Sequence, residues 1–197
     1  MEYYPRITRV CHSRLRTRVF ASQEVNIMML CLLPIISIFL IARELIVSIL
    51  YSGEFRAIIP YISFAIVGTV MRAYSWFLAI VIVARGDGKI YIVTETLSVL
   101  TGFALNVACY HLWGLAGLGV AFCLWYAAYC LIVGVVYFRR YGYSLSRQSS
   151  LLSLFTLAFC AAIVFLLNEG WLWAAIAATA IISLFAGIRL RRLVSHR

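Results

Sequence analysis

The chain has 197 residues, of which 64% are hydrophobic and 12% charged, and its formal net charge is +10. Soluble domains contain about 45–50% apolar and about 25% charged residues. The composition therefore excludes an ordinary soluble domain and indicates an all-α, polytopic integral membrane protein.

Long uncharged stretches predict about six transmembrane helices, each near the ~20 residues that cross ~30 Å of hydrocarbon. Tight connections around His111–Gly114 and at Asn168–Gly170 predict antiparallel hairpins. The six predicted helices cover 25–42 (with an extension towards 51), 57–84, 90–113, 115–138, 151–167 and 171–188.

These spans divide the chain into five predicted parts: a cytoplasmic basic amphipathic linker (1–24), a four-helix membrane region (25–138), a cytoplasmic loop (139–150), a terminal transmembrane hairpin (151–188) and a basic cytoplasmic tail (189–197). In the linker, apolar residues recur at four-residue intervals among arginines, which predicts a helix lying on an anionic leaflet. They are Ile7, Cys11, Leu15 and Val19.

Basic residues predict the orientation. Of the 17 Lys and Arg residues, 14 fall on one side of the six-span arrangement and two, Arg43 and Arg56, on the other, while Arg72 lies within a span. By the positive-inside rule, both termini and the basic loops are expected to be cytoplasmic. The positive charge is thus a topology signal, and no nucleic-acid partner is predicted.

Other functional classes lack their sequence signals. There is no P-loop, GxGxxG, HExxH or GxSxG motif, so no enzyme, catalytic residue or cofactor is predicted. The six cysteines show no CxxC spacing and the three histidines are scattered, so no metal site is predicted either. No small-residue cleavage site follows the first predicted span, so no cleavable signal peptide is predicted.

Arg72 stands out because it lies near the middle of the second predicted helix. A charge at mid-membrane costs about 2.5–3.5 kcal/mol on insertion scales, so its side chain should face a bundle interior or a wet cavity. Tyr61 and Trp76 are on the same helical face, along with several small or polar residues. This face is a candidate surface for substrate binding and translocation.

The third predicted helix has a similar polar stripe. Tyr91, Glu95, Ser98, Gly102, Asn106 and Cys109 follow a three-to-four-residue rhythm. Small residues alone would indicate a helix–helix seam, whereas Glu95 favours a functional role. Counted from the connecting loop, Arg72 and Glu95 differ in depth by about 9 Å, so we expect no direct ion pair and expect Asn106 to lie closer to the Arg72 guanidinium.

The loop between these two helices contains Arg85, Asp87 and Lys89 with two glycines. Two glycines in five residues favour a tight turn. The three charged side chains are candidates for an interface at the cytoplasmic surface, and a phosphate cradle is the alternative interpretation.

Several segments, in this order, resemble polysaccharide flippases of the multidrug/oligosaccharidyl-lipid/polysaccharide (MOP) superfamily. The resemblance covers about residues 2–140, and the last two helices only by position. It is carried by 3–8, Pro34 in the first span, 49–55, 72–76, 84–89 and 113–121.

The resemblance implies a fold like the C-terminal lobe of such a transporter. It also implies a function, the translocation of an undecaprenyl-pyrophosphate-linked oligosaccharide, such as an O-antigen unit, across the bacterial inner membrane. The implied partners are membrane lipid, that lipid-linked glycan and other glycan-assembly membrane proteins. Family members have twelve or more spans in two lobes, so we expect this chain to correspond to a partial transporter that begins before the ninth span.

Two alternatives stay open. One is a multidrug or ion-coupled exporter of the same superfamily, in which Glu95 would carry the coupling protons or sodium ions. The other is a non-transporting membrane subunit of a glycan-assembly pathway, which would require a stable partner.

Overall fold

The computed structural model describes residues 3–11, 13–50, 58–142 and 145–195, and every regular element in those ranges is helical. Five helices are long and apolar enough to cross a membrane. The elements are α1 (Tyr3–Val10), α2 (Arg14–Leu50), α3 (Ile59–Ala84), α4 (Gly88–Val136), which continues as a π-helical turn (Tyr137–Tyr141), α5 (Arg147–Asn168) and α6 (Leu172–Ser195).

Helix α4 is two antiparallel segments joined at Gly114. Gly114 has φ 61° and ψ −141°, a conformation essentially restricted to glycine. Nε1 of Trp125 donates a 2.9 Å hydrogen bond to Oγ of Ser98, although a straight helix would separate these residues by about 40 Å. The predicted turn near residues 111–114 is therefore confirmed, and we call the segments α4a (88–113) and α4b (115–136).

Segment α4b lies between α3 and α4a. It runs parallel to α3, and side chains at seven-residue intervals donate to carbonyl oxygens of α3: Cys123 to Phe64, Cys130 to Met71 and Tyr137 to Leu78. A constant register with a seven-residue repeat is typical of left-handed helix packing. Small residues permit the close approach, since a Cβ on Gly119 would be 2.8 Å from the Tyr61 carbonyl oxygen.

Helix α2 packs against the other half of the bundle, α5 and α6, and also against α3. Near its beginning, Ser22 bonds to Ser146 and Ser149 at the start of α5. Near its end, Arg43 bonds to Asn168 at the end of α5. Helices α2 and α5 are therefore parallel, and α6 returns antiparallel to both.

The helix that contains the first predicted span begins before that span, because α2 is continuous from Arg14 and has no break near residue 24. The preceding α1 packs on protein: Ile7 and Cys11 are buried, and the Cys11 thiol bonds to the Ala84 carbonyl at the end of α3. Leu15 and Val19 are exposed. The expectation that all four residues share a lipid-facing stripe is therefore wrong for the first two.

The bundle has two chemically different ends. One end, which we call the basic end, brings together the start of α2, the α3–α4 turn and the start of α5 through the contacts of Cys11, Tyr141 and Ser149. The opposite end, the far end, holds the Gly114 bend and the α5–α6 turn. Exposed aromatic side chains surround the far end at Tyr110, Trp113, Trp171 and Trp173, which is typical of a membrane–water interface.

Candidate functional site

Arg72 and Glu95 are on either side of the same turn of α4b. Cys130 of α4b contacts the carbonyl of Met71, next to Arg72, and Tyr129 of α4b donates to the Glu95 carboxylate. Because Tyr129 and Cys130 are consecutive, the two charges are at similar depth, and the expected offset of about 9 Å is wrong. The sequence estimate failed because it counted both depths from one common level at the connecting turn, as if α3 and α4a started at the same depth and ran parallel to the membrane normal.

No ion pair within 4.0 Å joins Arg72 to Glu95 in the part of the chain that the structure describes. Tyr126, one turn before Tyr129 on α4b, is beside Arg72: the Arg72 guanidinium carbon is 5.6 Å from the Tyr126 ring centroid. The expectation that these charges do not pair directly therefore agrees with the structure.

Arg72 is exposed on the outer surface of this chain, as is Trp76, which is 60% exposed. The predicted orientation towards the interior of these six segments is therefore wrong. The small and polar residues at neighbouring positions of α3, Gly68, Ser75 and Ala79, are buried against the rest of the bundle instead. The Arg72 guanidinium is therefore accessible from outside the bundle of described helices.

Aromatic side chains of α4b form a stack next to the arginine. The rings of Phe122 and Tyr126 have centroids 4.8 Å apart, and Trp125 stacks on Tyr126 with centroids 5.0 Å apart. We call Arg72, Glu95, Tyr126 and Tyr129, with Trp125, the mid-helix cluster. It combines a guanidinium on α3, a carboxylate on α4a, and two phenols and an indole on α4b.

The polar stripe of the third predicted helix is largely a helix–helix seam. Ser98 accepts the Trp125 bond, Gly102 lies under the Trp125 ring, and Gly117 packs on the Cys109 carbonyl. For Ser98 and Gly102 this is the packing role that small residues predict. Tyr91, one turn before Glu95 on the same helix, is partly buried.

Tyr61 and Asn106 are not part of the cluster. Each is eleven residues towards the far end from Arg72 or Glu95 along its own helix, about 16 Å. Asn106 donates its amide to the Gly102 carbonyl of its own helix at 2.7 Å. The expectation that Asn106 approaches the Arg72 guanidinium is therefore wrong.

Arg85, Asp87 and Lys89 are at the basic end, in the turn between α3 and α4. Gly86 has φ +80° there, as a tight turn requires. Asp87 accepts a 2.7 Å bond from the Tyr141 hydroxyl, and the Arg85 guanidinium carbon is 4.4 Å from the Tyr141 ring centroid. Arg85 and Asp87 therefore both pack this turn against Tyr141, which follows α4b. Lys89 is exposed.

Sequence reasoning missed three members of the cluster, Trp125, Tyr126 and Tyr129. Their spacing within α4b places them on one helix face, which is a usable signal, but aromatic residues in an apolar helix usually indicate packing. It also missed Arg43, which was assigned to the far-side loop. Arg43 is only 4% exposed and contacts α3 and α5.

Comparison with models of protein families, with curated proteins and with solved structures found no match for this chain.

Proposed function

We propose that this chain forms one wall of a membrane path for a lipid-linked oligosaccharide, as its resemblance to MOP-superfamily polysaccharide flippases implies. The proposed site is the mid-helix cluster, and the proposed location is a bacterial inner membrane with both termini in the cytoplasm. Moving such a lipid needs no covalent chemistry. It needs a polar surface for the head group at a depth where the lipid tail stays in the bilayer.

The observation that carries the proposal is the exposure of Arg72 in the middle of a 26-residue apolar helix. A guanidinium facing hydrocarbon at this depth would be strongly unfavourable, so its face must border water, a ligand or another protein surface. A path formed against a second membrane surface provides such an environment.

The chemistry of the cluster fits a pyrophosphate-linked sugar. The planar guanidinium of Arg72 presents several donors that match phosphate oxygens. Glu95 is directed to the Tyr129 hydroxyl, which leaves Arg72 without a carboxylate partner within 4.0 Å in the described ranges. Exposed Trp76 and the neighbouring ring of Tyr126 offer aromatic faces to the sugar.

The test is substitution of Arg72 in a bacterial strain that produces the chain, with surface glycan and membrane abundance measured together. We expect Arg72→Ala to reduce export strongly at nearly unchanged abundance, and Arg72→Lys to restore it only in part. Arg191→Ala, which removes an exposed charge from the basic end, is the matched control. Normal export from Arg72→Ala/Glu95→Ala would contradict the proposal, because it would show that Arg72 only balances Glu95.

A second candidate is an ion-coupled exporter of the same superfamily, favoured by the hydrogen bond between Glu95 and Tyr129 at mid-depth. A carboxylate held there by a phenol is suited to carry a coupling proton. In this case Glu95→Gln should abolish transport that depends on a proton gradient, whereas the flippase proposal assigns the larger loss to Arg72→Ala.

A further inference from the structure

Arg43, in α2, is buried with two neutral partners on other helices. One guanidinium nitrogen, Nη1, donates to Oγ of Ser63 in α3 at 2.5 Å, and the other, Nη2, donates to Oδ1 of Asn168 at the end of α5 at 2.9 Å. The side chain is 4% exposed. Arg43 therefore sits where three helices meet, and it is separate from the mid-helix cluster.

The charge of Arg43 has no ion-pair partner within 4.0 Å among the described residues. Glu44 is the neighbouring acid, and its side chain is exposed at the surface of α2. A buried cation with only neutral partners is unfavourable. Two of the five guanidinium N–H donors account for the observed bonds, which leaves three for another acceptor.

Arg43 and its two hydrogen-bond partners, Ser63 and Asn168, line a cavity of about 480 Å³. Glu44, Pro60 and Phe64 also line it. This volume is far larger than the ~30 Å³ of one water molecule, so it admits a group of the size of a phosphate. The Asn168 amide nitrogen can supply further donors at its wall.

The cavity is at the far end, where exposed aromatic residues surround the bundle. Trp171 and Trp173, which are 64% and 82% exposed, follow Asn168 by only a few residues. Tryptophans at the ends of membrane helices mark the level of the lipid head groups. Phosphate esters are therefore abundant at the depth of Arg43.

We propose that Arg43, with Ser63 and Asn168, binds a phosphate group at the far end of the bundle. The phosphate belongs either to a membrane lipid or to a free phosphate, since both present the same oxyanion to the guanidinium. Exposed Glu44, at the rim, weakens binding by repulsion. This proposal does not rest on the proposed transport function.

The competing role for Arg43 is purely structural: its hydrogen bonds would only hold α2, α3 and α5 together. In that case substitution of Arg43 would lower the stability of the chain, but phosphate would not change that stability. The two roles are separated by the thermal unfolding midpoint of the purified chain in detergent, measured in sodium phosphate and in sodium chloride of equal ionic strength.

We expect phosphate to raise the midpoint of the native chain by about 3–6 °C at ten times its dissociation constant. Arg43→Gln should lose this gain, Glu44→Gln should increase it, and Arg191→Gln, an exposed charge at the basic end, should leave it unchanged. An absent gain in the native chain, or an equal gain in Arg43→Gln, would overturn the proposal. If Arg43→Gln does not fold, an unaltered gain in Glu44→Gln overturns it.

Native mass spectrometry distinguishes the two phosphate sources. If the source is a lipid, the native chain should retain phosphatidylglycerol from mixed micelles, and Arg43→Lys should retain less. Phosphate stabilisation without retained lipid assigns the site to a free phosphate.

Discussion

The Tyr129 hydroxyl donates a hydrogen bond to Oε1 of Glu95 across 34 residues of sequence. In a straight helix these residues would be about 51 Å apart, so this bond exists only because α4 folds back at Gly114. It joins the segment that packs on α3 to the segment at the edge of the bundle, and it fixes the Glu95 carboxylate beside the turn of α4b that faces Arg72.

We expect the Tyr129–Glu95 bond to contribute about 1–2 kcal/mol to the free energy of unfolding, because hydrogen bonds to charged groups are stronger than average and those in membranes are somewhat weaker than expected. A double-mutant cycle of Tyr129→Phe and Glu95→Ala in mixed micelles measures this coupling. Tyr110→Phe, at an exposed ring, is the control and should change stability by less than about 0.5 kcal/mol. Strict additivity of the two substitutions would show that the bond is unimportant.

The α4 hairpin also predicts an unusual sensitivity at Gly117. A Cβ there would be 2.1 Å from the Cys109 carbonyl oxygen, which is backbone and cannot rotate away. We expect Gly117→Ala to cost at least ~1–3 kcal/mol of unfolding free energy, as overpacking does.

Gly134→Ala is the matched control, because it is also in α4b and nothing lies within 4 Å of its added Cβ. It should be neutral or stabilising by about 0.5–1 kcal/mol, since alanine is favoured over glycine within a helix. Equal effects of the two substitutions would contradict the close packing of α4a on α4b.

At the basic end, Asp87 has two partners of very different expected strength. Tyr141, which is 5% exposed, donates to Oδ2 at 2.7 Å, whereas Arg140, which is 60% exposed, approaches Oδ1 only to 3.7 Å. We expect Tyr141→Phe to cost about 1 kcal/mol and Arg140→Gln less than about 0.5 kcal/mol, because exposed ion pairs contribute little. Unfolding of both variants at low and high salt tests this; a large, salt-sensitive loss in Arg140→Gln alone would reverse the assignment.

The helices could be predicted from the sequence because their apolar lengths and glycine turns are local properties. The bend at Gly114 illustrates this, since the tight connection there was visible in the residues themselves. Which helices touch could not be predicted in the same way. Ile7 and Cys11 have the apolar periodicity of a lipid-facing stripe, but periodicity does not distinguish lipid from protein as the apolar partner.

The same limit applies to the charged residues. The unusual depth of Arg72 was evident from its position in an apolar run, but the side of the bundle that it faces depends on α4b packing parallel to α3. Arg43 was overlooked because the Arg43–Glu44 pair resembles the end of a span. Its burial results from α3 and α5, whose Ser63 and Asn168 are distant in sequence.

The last prediction concerns topology. An unbent α4 would give five membrane crossings, whereas an α4 that folds back at Gly114 gives six, and the two arrangements place the basic segments on different sides of the membrane. The Gly114 bend puts Trp113 at the far end together with Glu169, while Gln148 is at the basic end, and all three are exposed. With the basic segments in the cytoplasm, single cysteines replacing Trp113 and Glu169 should react with a membrane-impermeant maleimide added to cells with a permeabilised outer membrane. A cysteine replacing Gln148 should react only after the inner membrane is disrupted. A chain that crossed once through an unbent α4 would carry Trp113 within the hydrocarbon and leave it unlabelled, and labelling at Gln148 in intact inner membranes would reverse the orientation.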